Sequence, residues 1–245
     1  MSDAAAARRE LERLIETDAP ALRASLPAGF ADAAEHYVRL LLEANARTNL
    51  TRIVEPDAVA RLHLLDAISA LPLVDGLGPH RALDLGSGGG VPGIVLALAR
   101  PEIAWTLVDS AGRKADALRS FVIALDLANV EVVAERAEIL GRDPSHRGGH
   151  DLVTARACAA LPVVAEYALP LLAVGGVALA WKGRPATDEL RAGDHAAGIL
   201  GGRLEVRPSG VPALGDRRFV VITKVADTPD GYPRRPGQPS RRPLG

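Results

Sequence analysis

The stretch Asp84-Leu85-Gly86-Ser87-Gly88-Gly89-Gly90-Val91-Pro92-Gly93 decides the fold. It follows a β-rich run at 81–85 and enters a helical run at 91–99, the context that lifts a glycine motif above background. Gly86, Gly88 and Gly90 carry no Cβ, so the backbone there can turn sharply and approach a ligand closely. In open α/β sheets, ligands sit beyond the carboxyl ends of the strands, where this loop falls.

Outward from the loop, β-rich runs end near 85, 109, 134, 155 and 181, at intervals of 21 to 26 residues. Helical runs at 112–125, 136–140 and 161–172 lie between them. Parallel strands joined by crossover helices need repeats of that size. Runs at 203–209 and 217–225 are separated only by 210–216, a connection that suits an antiparallel hairpin. Residues 1–79 read as helical, with apolar stripes at 4–15 and 30–46 and a helix opened by Pro56 and running towards Leu71. The expected class is α/β: a mostly parallel, doubly wound, Rossmann-like sheet closed by an antiparallel C-terminal hairpin. Three parts follow, namely a helical cap over 1–79, a core over 80–228 and a basic, proline-rich tail over 229–245.

The chain has 245 residues, 48% hydrophobic and 24% charged, enough to bury one well-packed core and too apolar for a disordered or fibrous protein. It has no apolar run of the roughly 18–20 residues that a membrane span needs. The segment Met1-Ser2-Asp3-Ala4 leads into Arg8-Arg9-Glu10 without the apolar stretch of an export signal. One cysteine, Cys158, excludes an intramolecular disulfide and a thiolate metal cage. A reduced, cytoplasmic setting without metal is expected. Net charge is −1, but the segment from Tyr232 onward holds four arginines and no acid, a cationic tail that could meet phosphate or simply be solvated.

Two cofactor classes fit the glycine loop. Gly88-x-Gly90-x-x-Gly93 matches the dinucleotide fingerprint, with Asp109 as the ribose-binding acid of an NAD-linked oxidoreductase. The earlier frame, Asp84-x-Gly86-x-Gly88-x-Gly90, resembles the first motif of class I S-adenosylmethionine-dependent methyltransferases, and it accounts for the two residues the other frame leaves unexplained. There Asp84 would face the methionine part of the cofactor and Asp109 would accept from the ribose hydroxyls. After the fourth run stands Asp151-Leu152-Val153-Thr154-Ala155-Arg156-Ala157, not the Asn/Asp-Pro-Pro-aromatic motif of adenine amino-group methylation. Cys158 lacks the neighbouring proline common in carbon-5 pyrimidine methylation, whose cysteine attacks the ring. The target is therefore expected to be an atom already nucleophilic, such as a ring nitrogen, that needs alignment more than a base.

From Asn45 to the C-terminus the chain resembles the bacterial RsmG (GidB) methyltransferases of guanine N7 in 16S ribosomal RNA. The carriers are Asn45-Ala46-Arg47-Thr48-Asn49-Leu50-Thr51, His63-Leu64-Leu65-Asp66, the glycine loop with its Pro92-Gly93 ending, and Leu107-Val108-Asp109-Ser110. They continue with Arg136-Ala137-Glu138, Thr154-Ala155-Arg156-Ala157, Trp181-Lys182-Gly183 and Tyr232-Pro233-Arg234-Arg235-Pro236-Gly237-Gln238-Pro239. The resemblance implies S-adenosylmethionine as donor and 16S rRNA or the small ribosomal subunit as partner. It sets Asp84, Gly86, Gly88, Val91, Asp109, Ala137, Glu138 and Arg156 against the cofactor, with Ala137 and Glu138 at the adenine, and Arg136, Lys182, Arg234 and Arg235 towards the RNA. The chain departs from the family pattern at Ala67, where serine is expected, at Gly89, in the order Arg113-Lys114, and in lacking an aromatic near Cys158. A non-catalytic RNA-binding or ribosome-assembly module is the reading from another class. Cys158 is expected as a small core residue and His63 as a structural hydrogen-bonder near Asp66. The tail, alternating arginine with proline, is expected to stay extended and helix-free.

Overall fold

A computed structural model describes residues 2–245. The chain opens with α1 (Asp3–Asp18), capped by the Ser2 hydroxyl accepting from the Ala5 amide, then α2 (Pro20–Arg23) and α3 (Phe30–Thr48). The single helix expected from Pro56 towards Leu71 is instead composite. It comprises α4 (Pro56–Val59), a π-helical stretch (Ala60–Leu65), α5 (Asp66–Ile68) and, after a break, α6 (Leu71–Leu77). π-Helical turns are rare and concentrate at functional sites. This one carries His63.

The sheet follows: β1 (Arg81–Leu85), α7 (Gly93–Ala99), β2 (Ala104–Val108), α8 (Gly112–Ala124), β3 (Val130–Val133), α9 (Ala137–Leu140) and β4 (His150–Arg156). Next come α10 (Leu161–Ala168) with a 3-10 turn (Leu169–Leu171), β5 (Leu172–Lys182), α11 (Thr187–Ile199), β6 (Gly202–Pro208), a second 3-10 turn (Pro212–Leu214) and β7 (Arg218–Lys224). Strand order is β3-β2-β1-β4-β5-β7-β6, parallel except where β7 pairs antiparallel with both β5 and β6. The order reverses between β1 and β4, so a crevice opens above their carboxyl ends.

Side-chain alternation splits the core between the two faces. On β7, Phe219 and Val221 join the cluster containing the cap helices, α7 and α8, while Val220 and Ile222 join the cluster under α10 and α11. The cap is therefore continuous with one face of the sheet through Tyr37, Leu41, Leu64, Ile68 and Trp105, all buried. Tyr37 meets Phe121 of α8 edge-on at 6.2 Å.

The tail departs from expectation. It carries a four-residue helix, α12 (Gln238–Arg241), and lies down on α9 and α10. Arg142 Nε donates to the Pro233 carbonyl (2.8 Å), and Arg147 donates to the carbonyls of Tyr232 (2.8 Å) and Thr228 (3.0 Å). Pro239 is buried. Composition alone did not anticipate these anchors, which come from residues some ninety positions upstream.

Candidate active site

Asp84, next to last in β1, lies beneath the glycine loop and is wholly buried. Its Oδ1 accepts from Thr154 Oγ1 of β4 (2.7 Å), and its carbonyl accepts from Ser87 Oγ (2.9 Å). Burial pushes the carboxyl up to about 6, against the pull of the Thr154 bond. Asp84 lines neither cavity of the crevice; it props the loop from below. Gly86 turns at φ +66°, and a Cβ there would stand 3.0 Å from Cys158 Cβ. Gly88 turns at φ +57° and donates its amide to Asp109 Oδ2 (3.0 Å), whose Oδ1 accepts from Ala111 (2.9 Å). Tyr37 of the cap donates its hydroxyl to the Gly89 carbonyl (2.7 Å) and braces the loop from the other side.

Two cavities adjoin above the sheet. The first, about 300 Å³, is walled by Asp109, Ser110, Ala137, Glu138 and Tyr167. The second, about 190 Å³, is walled by Leu41, Thr51, His63, Gly88, Val91 and Arg156. They share Gly86, Lys114 and Ala157. A larger hollow of about 580 Å³ between α1 and the start of α3, bordered by Arg8, Glu16, Arg23 and Asp32, shares no residue with them.

In the first cavity Glu138 is almost fully buried at the start of α9. Its Oε1 accepts from the Gly237 amide (2.7 Å), Arg136 Nη2 (3.1 Å) and the Tyr167 hydroxyl (3.4 Å). Burial disfavours the charge, but the Gly237 amide and Arg136 outweigh it and hold the carboxyl below its ordinary value. In the second cavity Arg156 donates to the Leu62 carbonyl (2.7 Å), to Asp66 Oδ2 (3.2 Å) and to His63 Nδ1 (3.1 Å). His63 Nδ1 faces both that guanidinium, which only donates, and the Leu62 carbonyl, which only accepts (3.2 Å), while Nε2 faces Thr51 Oγ1 at 2.9 Å. Burial and the Arg156 charge drive the His63 pKa down to about 4. His63 is neutral at pH 7. The structural hydrogen bonding expected of it is made to Thr51 and Arg156 rather than to Asp66, whose carboxylate is fully buried between Arg156 and Arg217 Nε (2.6 Å).

The crevice thus brings together Gly86, Gly88, Val91, Asp109, Ala137, Glu138 and Arg156, with Asp84 below. The residues expected to face RNA are scattered. Lys182 Nζ pairs with Glu189 (2.7 Å), and Arg234 grips buried Glu166, so neither presents a free charge. Arg136 is exposed yet leans on Glu138, and Arg235 is exposed. Cys158, expected in the core, is exposed at the cavity wall. Lys114 escaped the sequence reading. It borders both cavities and has no carboxylate partner among the described residues; the only sequence signal was its place on the first turn after the Asp109 strand tip. The left-handed backbone of Ala157 (φ +53°) was equally silent, since alanine does not announce that conformation.

S-adenosylmethionine fits this donor set. The bare floor at Gly86, which a Cβ would fill, admits a ligand chain, and the acids Asp109 and Glu138 offer acceptors for ribose hydroxyls and an adenine amino group. A dinucleotide fits less well. The amides of Gly88 and Gly90, which should cradle its phosphates, are committed to Asp109 and to the Ser87 carbonyl (2.7 Å).

Fold and crevice define a class I S-adenosylmethionine-dependent methyltransferase. Solved structures agree on the fold: an O-methyltransferase from Bacillus cereus aligns with a TM-score of 0.55 at 19% identity, over 77% of this chain and 91% of that one. TomG, an O-methyltransferase from Streptomyces achromogenes, aligns with 0.56 at 18%, over 78% and 90%. Residues 31–216 match the GidB family, rRNA small subunit methyltransferase G, and the chain belongs to that family. Proteins named Ribosomal RNA small subunit methyltransferase G are 48% identical over 207 residues in Deinococcus deserti (84% of this chain, 85% of that protein) and 45% over 201 residues in a Roseiflexus species (82% and 86%). The oxidoreductase and non-catalytic readings are not favoured. Among the described residues, no helix is long and apolar enough to cross a membrane.

Proposed function

We propose that the protein transfers a methyl group from S-adenosylmethionine to N7 of a guanine in 16S rRNA of the small ribosomal subunit. The observation that carries this reading is the pair of joined cavities: one walled by acids suited to adenosine, the other by the cap, neutral His63 and Arg156. When bound, the cofactor supplies an electrophilic methyl carbon on a sulfonium that leaves as a neutral thioether.

The remaining work falls to the chain. Guanine N7 attacks with its own lone pair and loses no proton, so no general base is required and no covalent enzyme intermediate forms. Positive charge passes to the purine ring, and a neutral His63 adds no repulsion where it develops. Alignment supplies the rate. Gly86, Gly88 and Val91 shape the floor, and Asp109 is assigned to the ribose hydroxyls. Ala137 and Glu138 are assigned to the adenine, Arg156 to the methyl-transfer end, and Lys114 to the carboxylate of the cofactor's amino-acid part. Arg136 and Arg235 are the candidates for RNA phosphates, whereas Lys182 and Arg234 would have to leave their internal carboxylates to serve. We further propose a cytoplasmic setting, where the subunit is found.

Thermal unfolding with S-adenosylhomocysteine or NADH tests the cofactor half, because a ligand bound only by the folded state raises the midpoint. S-adenosylhomocysteine should stabilise the protein. A rise with NADH alone would overturn this reading.

A further inference from the structure

The C-terminal segment touches the acid end of the crevice at one atom. Glu138 Oε1 accepts the Gly237 amide at 2.7 Å, the shortest of its three bonds. All three donors from other residues meet that one oxygen, and the backbone amide of Glu138 itself adds to the hold on the carboxylate.

That contact is built from both sides. Upstream, Arg234 is latched to Glu166: its backbone amide and Nε reach Oε1 at 2.8 and 2.9 Å, and its Nη2 reaches Oε2 at 2.5 Å. Glu166 is wholly buried. Downstream, Ser240 on α12 shares a hydrogen bond of 2.9 Å with the Tyr167 hydroxyl, which itself lies 3.4 Å from Glu138 Oε1. Gly237 sits between these anchors at φ +78°, a conformation that aims its amide and that side-chain-bearing residues rarely adopt. Tyr167 and Glu138 both wall the first cavity; Gly237 does not.

We propose that the segment from Tyr232 to Arg241 is a strap that positions Glu138 for the purine of the cofactor, with the Gly237 amide and the Tyr167 hydroxyl as its positioning groups. The inference rests on the assignment of Glu138 to the adenine amino group. A glutamate at the second residue of a four-residue helix has several rotamers open to it. Donors fixed on one oxygen choose among them and hold the carboxylate in place to accept from the ligand.

The test uses two ligands that differ at the purine. S-adenosylhomocysteine carries the 6-amino donor, and S-inosylhomocysteine carries a carbonyl in its place. Calorimetric titration of the wild-type protein should favour the adenosine compound by about 10- to 100-fold, the worth of a hydrogen bond to a charged acceptor. Gly237→Val is the main variant. A Cβ at Gly237 meets nothing closer than 3.9 Å, so the substitution acts through the backbone, which a β-branched residue forces out of the left-handed region. Its preference between the ligands should shrink to within about threefold. Tyr167→Phe, a milder change that keeps the packing, should show a smaller loss of preference and serves if the first variant unfolds. A merely structural strap would lower the unfolding midpoint and leave the ratio alone; wild-type ratios in both variants overturn the inference. Tight binding of S-adenosylhomocysteine by the wild type with no preference overturns the adenine assignment and the strap together. Absence of its binding to the wild type would instead strike the cofactor reading itself.

Discussion

Arg234 and Glu166 form a two-pronged ion pair, Nη2 to Oε2 at 2.5 Å and Nε to Oε1 at 2.9 Å, on a carboxylate with no exposure to solvent. Such forked pairs are strong, and removing one partner strands a buried charge. Arg234→Gln should therefore cost about 3 kcal/mol or more of folding stability in urea titrations. Arg235→Gln, Arg241→Gln and Arg242→Gln, all at exposed positions, should each stay within about 0.5 kcal/mol of the parent. Equal stability for all four variants would refute the anchoring role.

Gly86→Val places a branched side chain at φ +66° and within 3.0 Å of Cys158 Cβ. S-adenosylhomocysteine binding should fall at least 100-fold by calorimetry, while circular dichroism reports the parent's secondary structure. Unchanged affinity would mean that the loop does not form the floor of the cofactor site.

Lys114 stands where both cavities meet without a carboxylate of its own. Lys114→Met should weaken S-adenosylhomocysteine by about tenfold, the effect of one charge-assisted contact. It should leave 5′-methylthioadenosine, which lacks the amino-acid carboxylate, nearly untouched. Equal losses for the two ligands would remove Lys114 from the proposed pairing.

Two buried histidines and Asp84 contribute to the acid side of stability. Burial, aided by nearby cations, pushes His63 and His150 down to about 4, whereas an unfolded histidine titrates near 6.5. The unfolded chain thus binds more protons between those values. The stability due to each neutral imidazole is complete above about 6.5 and is lost as pH falls towards 4. Asp84, pushed up to about 6 by burial, acts in the opposite sense: it favours the fold at low pH and loses that advantage as pH rises from about 4 to 6. His150→Gln isolates one histidine. Between pH 4.5 and 6 its stability should depend on pH less steeply than the parent's by about 1.4 kcal/mol per pH unit, one proton's worth. Parallel profiles in urea titrations would place the His150 pKa near its ordinary value.

The sheet was legible because β-rich runs at regular intervals and a glycine loop are local signals. The expected run at 81–85 coincides with β1, and the short connection before β7 marked the antiparallel closure. Helix α11 went unread: Thr187–Ile199 mixes Gly193, Gly198 and charged residues, and packing of Ala196 and Ala197 against α10 stabilises it more than any local stripe. At the site, glycine spacing and strand-tip acids marked Gly86, Gly88 and Asp109 directly. For Asp84, position near a strand end does not say whether the carboxylate points up or down. Tail arginines carry the same ambiguity. Arg234 and Arg235 are adjacent in sequence, yet only the fold shows that one meets Glu166.

The central claim is methyl transfer to guanine N7, and the product nucleoside tests it most directly. Small ribosomal subunits lacking the modification, incubated with the protein and methyl-labelled S-adenosylmethionine, should yield label in 7-methylguanosine alone after digestion to nucleosides. Label in any other nucleoside, or none in 7-methylguanosine, would contradict the account.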